Sequence, residues 1–153
     1  MLTRTQWGIV ALGVVLDQIT KYWASQVLSF SNSIVLVTDR VSFDLVHNYG
    51  AAYGILQGYR WPLLLVSVLV VLGCIFFARY FITSRWSYYG LCFVLIGAMG
   101  NGIDRFVFGY VVDFINIRIF PVFNLADVAI DIGVALFATE MIRDYVRSRR
   151  SRS

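Results

Sequence analysis

Four of the chain's nine acids crowd one stretch, Asn101 to Asp131. Asp104, Asp113, Asp127 and Asp131 stand there among Asn101, Asn116, Asn124 and Arg105, with apolar runs on both sides. Carboxylates at the ends of such runs are costly to hold and point to a functional site by default. Two carboxyls brought close together cannot both ionise easily, so they share a proton and titrate as a pair. The ionised member can take a proton from water while the protonated one gives its own to a carbonyl oxygen, which is the chemistry of aspartic hydrolysis. Such a pair equally suits proton or cation transport, and the residue types alone leave both readings open.

Asp113 and Asp127 are the pair expected. Asp113 follows Val111-Val112 after Gly109, which gives the chain freedom to turn. Asp127 lies one turn into an apolar helix, where the dipole favours a negative charge. No competing chemistry is legible. His47 is the lone histidine, and no metal-ligand set surrounds it. Cys74 and Cys92 sit inside apolar runs and read as small buried hydrophobes.

The elements that position the acids are those of an integral membrane protein. Apolar residues make up 59% of the chain and charged residues 14%, too apolar for a soluble domain this small to bury. The fold expected is mainly α, a single membrane domain over 1–153 with four transmembrane helices and a small extracytoplasmic β element. The spans fall at about 6–24, 61–78, 86–103 and 120–142, each near the thickness of a hydrocarbon core. Asp17 and Lys21 share a face of the first helix and can pair there. Within residues 30–48, Val41, Phe43 and Leu45 alternate with Ser42 and Asp44, and Asp39-Arg40 separates them from the β-branched run at 34–38, as in a short hairpin at the membrane surface. Asn48 closes that element, and Gly50 and Gly54 form a G-x-x-x-G, a weak sign of close backbone packing. Ile115, Ile117 and Ile119 alternate with Asn116 and Arg118, so that segment is expected to run extended.

The arginines orient the chain. With both termini cytoplasmic, Arg4, Arg79, Arg85 and the five arginines of the tail at 143–153 lie inside, eight of the thirteen basic residues. That is the positive-inside arrangement. The net charge of +4 sits mostly in this tail, a topology signal and anionic-lipid contact rather than a nucleic-acid site. The polar residues then converge on the outer face.

Ordered motifs decide between hydrolysis and transport. Asn101-Gly102-Ile103-Asp104-Arg105 resembles the G-N-x-x-D-R block of bacterial lipoprotein signal peptidases, the type II signal peptidases. Val111-Val112-Asp113-Phe114-Ile115 resembles their V-x-D-F-I block and Phe123-Asn124-Leu125-Ala126-Asp127 their F-N-x-A-D block. Asp17-Gln18-Ile19-Thr20-Lys21 and Asn48-Tyr49-Gly50-Ala51-Ala52-Tyr53 resemble the first two blocks, in the right order. Tyr53 and Ala98 depart from the pattern, which more often has Phe and Gly there. The resemblance implies a cofactor-free aspartic endopeptidase of the bacterial cytoplasmic membrane, working as a monomer among membrane lipids. Its substrates would be prolipoproteins carrying diacylglyceryl-cysteine, cut just before that cysteine. Asp113 and Asp127 match the catalytic pair. Asn48, Gly50, Asn101, Arg105 and Asn124 match positions that line or support the substrate site. Asp17, Lys21 and Asp104 match further polar positions, expected to be structural, and Asp131 has no assigned role.

Overall fold

The computed structural model describes residues 2–31, 33–38, 40–51 and 55–150. Their elements run α1 (Arg4–Val27), β1 (Ile34–Val37), β2 (Val41–Asn48), α2 (Arg60–Phe81), α3 (Arg85–Val107), β3 (Val111–Asn116) and α4 (Leu125–Arg150). Asp39 of the expected hairpin turn and Gly54 of the G-x-x-x-G lie outside the described residues.

Local chemistry sets the helix starts. The Thr3 hydroxyl accepts the Gln6 N–H, and the Gln6 side chain accepts the Thr3 N–H in return. Ser84 and Ser87 make the same reciprocal pair before α3. Each box satisfies donors that a helix start otherwise leaves open. Pro62 fits the first turn of α2 because the N–H it lacks would have no partner there.

The last helix begins at Leu125, later than the 120 expected for the fourth span. Phe123 exchanges backbone bonds with Ile115, N–H to carbonyl in both directions, at 2.8 and 3.0 Å. Phe123 is therefore held beside β3, and the chain coils only after it. At its other end α4 stays helical through Arg150, so most of the expected tail is helix.

α3 is the hub, buried along its length and packed on α1, α2 and α4. The core around it joins Val10, Cys74, Leu91, Cys92, Leu95 and Ala129. α2 is the opposite case: only Leu63, Ser67, Cys74 and Ala78 are buried, and Leu65, Val66, Leu69 and Phe76 stand exposed. A face that apolar suits lipid better than water. Among the described residues, α2 and α3 are the two helices long and apolar enough to cross a membrane.

The sheet is antiparallel in the order β1-β2-β3. The expected hairpin is present, and β3 adds a third strand; the segment expected to run extended over 115–119 does so only to Asn116, since the chain bends at Arg118 with φ 67°. Phe114 turns to the α1 side, packing with Ala24 and Leu28, and Trp23 meets Phe43 and Phe114 edge-on at 5.5 and 6.4 Å.

Gly90 and Gly97 of α3 and Gly133 of α4 let the two helices touch backbone to backbone. A Cβ on Gly97 would lie 2.3 Å from the Ala126 carbonyl oxygen and 2.4 Å from Ile130 Cγ1. Gly97→Ala is therefore expected to push the start of α4 away and to cost about 1–3 kcal/mol, as overpacking of a filled interface does. Thermal unfolding in detergent measures it.

Candidate active site

A bulge in the sheet begins the site. β2 pairs Phe43 with Ile115 but Val46 with Asp113, so β2 carries one extra residue between those pairs. A one-residue slip exchanges the faces of a strand. Past the bulge, Asp113 and Asn48 project from the same face, and Asn48 Nδ2 donates to Asp113 Oδ2 at 2.9 Å. Asn48 Oδ1 accepts the Gly50 N–H, which fixes which end of the amide faces the carboxyl.

Asn124 brings in the second acid. It stands just before α4, where its Oδ1 accepts the Asp127 N–H at 3.0 Å and Asp127 Oδ2 accepts the Asn124 N–H at 3.1 Å. This is a capping box built from Asn and Asp. The Asn124 Nδ2 is left free to donate to Asp113 Oδ1 at 2.6 Å and to Asn101 Oδ1 at 3.2 Å. One asparagine thus holds both acids.

Behind them lies a buried ion cluster. Lys21 Nζ is 2.9 Å from Asp17 Oδ2 and 3.0 Å from Asp104 Oδ2, and it donates to Asn101 Oδ1 at 2.9 Å. Asn101 Nδ2 donates onward to Asp127 Oδ1 at 2.7 Å. Asp17 Oδ1 accepts the Ala126 N–H in the first turn of α4, and Asp104 Oδ2 accepts the Val112 N–H of β3. The cluster therefore ties α1, α3, β3 and α4 to one another. On the open side Arg105 Nη2 donates to the Gly50 carbonyl at 3.1 Å, clamping the loop after β2.

The acids open into a cavity of about 510 Å³, lined by Asn48, Gly50, Arg105, Asp113 and Asp127 together with apolar side chains such as Phe123 and Ile130. Asp113 is 2% exposed. Burial, and after it the neighbouring charge of Asp127, pushes its carboxyl up to about 7, while the Asn48 and Asn124 amides and Lys21 pull the other way. A carboxyl near 7 is poised to hold a proton at neutral pH.

A profile of the family described as signal peptidase (SPase) II matches residues 9–143. The chain belongs to the signal peptidase II family. A lipoprotein signal peptidase of Clostridium novyi is 39% identical over 142 residues, 89% of this chain and 96% of that one. Another, of Microcystis aeruginosa, is 44% identical over 136 residues, 86% and 87% of the two chains. A solved bacterial membrane enzyme matches the fold with a TM-score of 0.84 at 30% identity, covering 92% of this chain and 89% of its own. Family and structural relatives together make the chain a bacterial membrane peptidase.

The geometry of this signal peptidase II family member joins nearly all the polar residues singled out in the sequence. Asp113, Asp127, Asn48, Asn101 and Asn124 form one hydrogen-bonded network, with Gly50 and Arg105 at its rim. Asp17, Lys21 and Asp104 are continuous with it through Asn101, where the sequence marked them only as structural. Asp131 is exposed and lines the cavity. Gln18 was missed: its Nε2 donates to Asp104 Oδ1 at 2.9 Å, and its one signal was its place inside the Asp17–Lys21 block. His47 stacks on Tyr110, with centroids 3.9 Å apart.

Proposed function

We propose that this protein is an aspartic endopeptidase that removes signal peptides from prolipoproteins already carrying diacylglyceryl-cysteine, cutting just before that cysteine. One observation carries the reading: Asn124 holds two carboxyls at the same end of an open cavity. Asp127 sits at a helix N-terminus and receives Asn101 and the Asn124 N–H, an environment that favours its charge. Asp113, buried and near 7, holds the proton.

The steps follow from that division. Asp127 takes a proton from water as the oxygen adds to the scissile carbonyl, and Asp113 gives its proton to the carbonyl oxygen. When the tetrahedral intermediate collapses, the C–N bond breaks and the proton on Asp127 passes to the leaving amine. Asp113 recovers its own proton as the carbonyl reforms. The products are a signal peptide with a free carboxyl and a lipoprotein with a free amine on its lipidated cysteine.

The four helices are proposed to span the membrane, α1 burying Asp17 against α3, with both termini cytoplasmic and the site near the outer face. The substrate's acyl chains would then stay in the bilayer beside the apolar wall of the cavity. The names of the relatives and the five motif blocks support the lipoprotein substrate. Side-chain proton transfer alone completes the cycle, and one chain carries every group it uses.

The test is cleavage by purified protein of a peptide with diacylglyceryl-cysteine and of the same peptide unmodified. Cutting only the lipidated peptide, immediately before cysteine, is the expected result. Equal cutting of both overturns the lipid requirement, and cutting of neither overturns the function.

A pH dependence follows. Asp113 stands above its ordinary value, so its acid form is full below about 7 and is lost as pH rises through that value. The cleavage rate is expected to level off below about pH 7 and to fall about tenfold per pH unit above it. A rate profile on the lipidated peptide measures this.

A further inference from the structure

The Lys21 ammonium has three N–H donors and three acceptors, Asp17 Oδ2, Asp104 Oδ2 and Asn101 Oδ1. It is 3% exposed, so no donor is left over for water. An ammonium donates and never accepts. The end of the Asn101 amide facing Lys21 is therefore its oxygen, and the end facing Asp127 Oδ1 is its NH₂. Turned about, Asn101 would set its oxygen against Asp127, a contact tolerable only with a proton on that carboxyl.

We propose that Lys21 is a positioning residue for catalysis: by locking the Asn101 amide it keeps Asp127 ionised and confines the shared proton of the pair to Asp113. The inference rests on the aspartic-peptidase reading above. Lys21 touches neither acid; beyond the pull of its charge on Asp113, it reaches Asp127 through one side chain, Asn101.

The arrangement makes the lock stiff. Asn101 is buried and its oxygen also accepts from Asn124 Nδ2 at 3.2 Å, so turning the amide breaks two bonds at one end and one at the other. Asp17 and Asp104 hold the ammonium from two sides and are themselves pinned by backbone N–H groups of α4 and β3. The charged and titratable groups around the pair are Asp17 and Lys21 from α1, His47 from β2, Asp104 and Arg105 from α3, and Asp131 from α4. Of these, only Lys21 reaches a carboxyl of the pair by way of an amide whose two ends differ in chemistry.

Removing Lys21 alone strands two buried carboxylates, so the comparison is made in an Asp104→Asn background. There, Lys21→Met restores the net charge that the wild-type cluster carries. The chain is purified and kcat and KM are measured against pH on the diacylglyceryl peptide. Relative to Asp104→Asn, the Lys21→Met, Asp104→Asn chain is expected to lose at least about tenfold in kcat, with KM within about twofold. The alkaline fall in rate should move upward by about half a pH unit or more, since Asp127 then competes for the proton. Asn101→Leu in the same background should give most of this displacement, and adding Lys21→Met to it should displace the limb by much less, the part due to the Lys21 charge alone.

An unchanged limb in the Lys21→Met, Asp104→Asn chain assigns Lys21 to folding alone and overturns the proposal. A further displacement as large as the first in the triple variant also overturns it, because the pull of the Lys21 charge on Asp113 would then account for the whole effect. Lys21→Gln in the same Asp104→Asn background provides a second comparison, since its amide can still donate to Asn101 Oδ1. It should retain at least about threefold more kcat than Lys21→Met, and equal losses count against the lock. Failure of the wild-type protein to cut the diacylglyceryl peptide would instead remove the peptidase reading itself.

Discussion

Asp113→Asn and Asp127→Asn are each expected to lower cleavage of the lipidated peptide by at least about a thousandfold, because members of one proton-transfer unit fail together when either is lost. Asparagine keeps the shape of the carboxyl and can accept from one of the two N–H donors that each acid meets, at the loss of the other bond, but it can neither take the proton of water nor return one to a carbonyl oxygen. Folding is expected to survive. Asp113→Asn should even gain stability relative to wild type as pH rises. Asp113 lies at about 7 in the folded chain against an ordinary value of 3.8. Its contribution to wild-type stability is complete below 3.8 and is lost as pH rises through 7, a difference of at most about 4 kcal/mol at 1.36 kcal/mol per pH unit. Asparagine has no such loss. Thermal unfolding in detergent at pH 5 and pH 8 should therefore show the variant gaining on wild type at the higher pH. Cleavage at the wild-type rate by either variant would mean that the pair is not the catalyst.

Much of this site was legible because buried polarity is expensive. An aspartate or asparagine within an apolar run has few reasons to be there, and Asp113, Asp127, Asn101 and Asn124 announced themselves on that ground alone. The spacing of Asn124 and Asp127 is also a readable helix start, a cap residue followed three positions later by an acceptor. Reading the span from 120 overlooked that signal and the Pro121 beside it, because Phe120, Val122 and Phe123 continue the apolar run. The pairing of Phe123 with Ile115 was beyond reach, since nothing local distinguishes an extended apolar segment from the first turn of a helix. The bulge between Phe43 and Val46 was hidden for a similar reason. Alternation in β2 shows which residues share a face, but not where the partner strand falls out of step. Gly97 and Gly100 are small residues suited to close packing, but nothing local reveals that Gly97 meets the Ala126 carbonyl and Gly100 the Asp17 carboxylate. The link from Lys21 through Asn101 to Asp127 joins three helices, and its logic lies in which end of an amide faces a lysine. Sequence marks the residues of such a link and is silent on its direction.

Asn124 is where the largest effect outside the two acids is expected. Asn124→Ala removes the acceptor for the Asp127 N–H and the donor to both Asp113 and Asn101. Loss of a cap costs about 1 kcal/mol, and loss of the strut between the acids should cost about a hundredfold in kcat, the scale of a misplaced acid–base pair. Two further substitutions separate these roles. Asn124→Ser keeps a cap acceptor and should recover most of the stability, but its hydroxyl is too short to span to Asp113, so kcat should stay low. Asn124→Asp keeps the cap at nearly the same size and sets a third carboxyl against Asp113 where an N–H stood at 2.6 Å. Like charge at that distance favours a proton shared between the two, which takes Asp113 out of register with the substrate carbonyl. Its stability near pH 5 should thus be close to wild type while its activity falls with that of Asn124→Ala. If activity instead follows stability through the three variants, Asn124 serves α4 alone and the two acids are positioned by Asn48 and Asn101 without it.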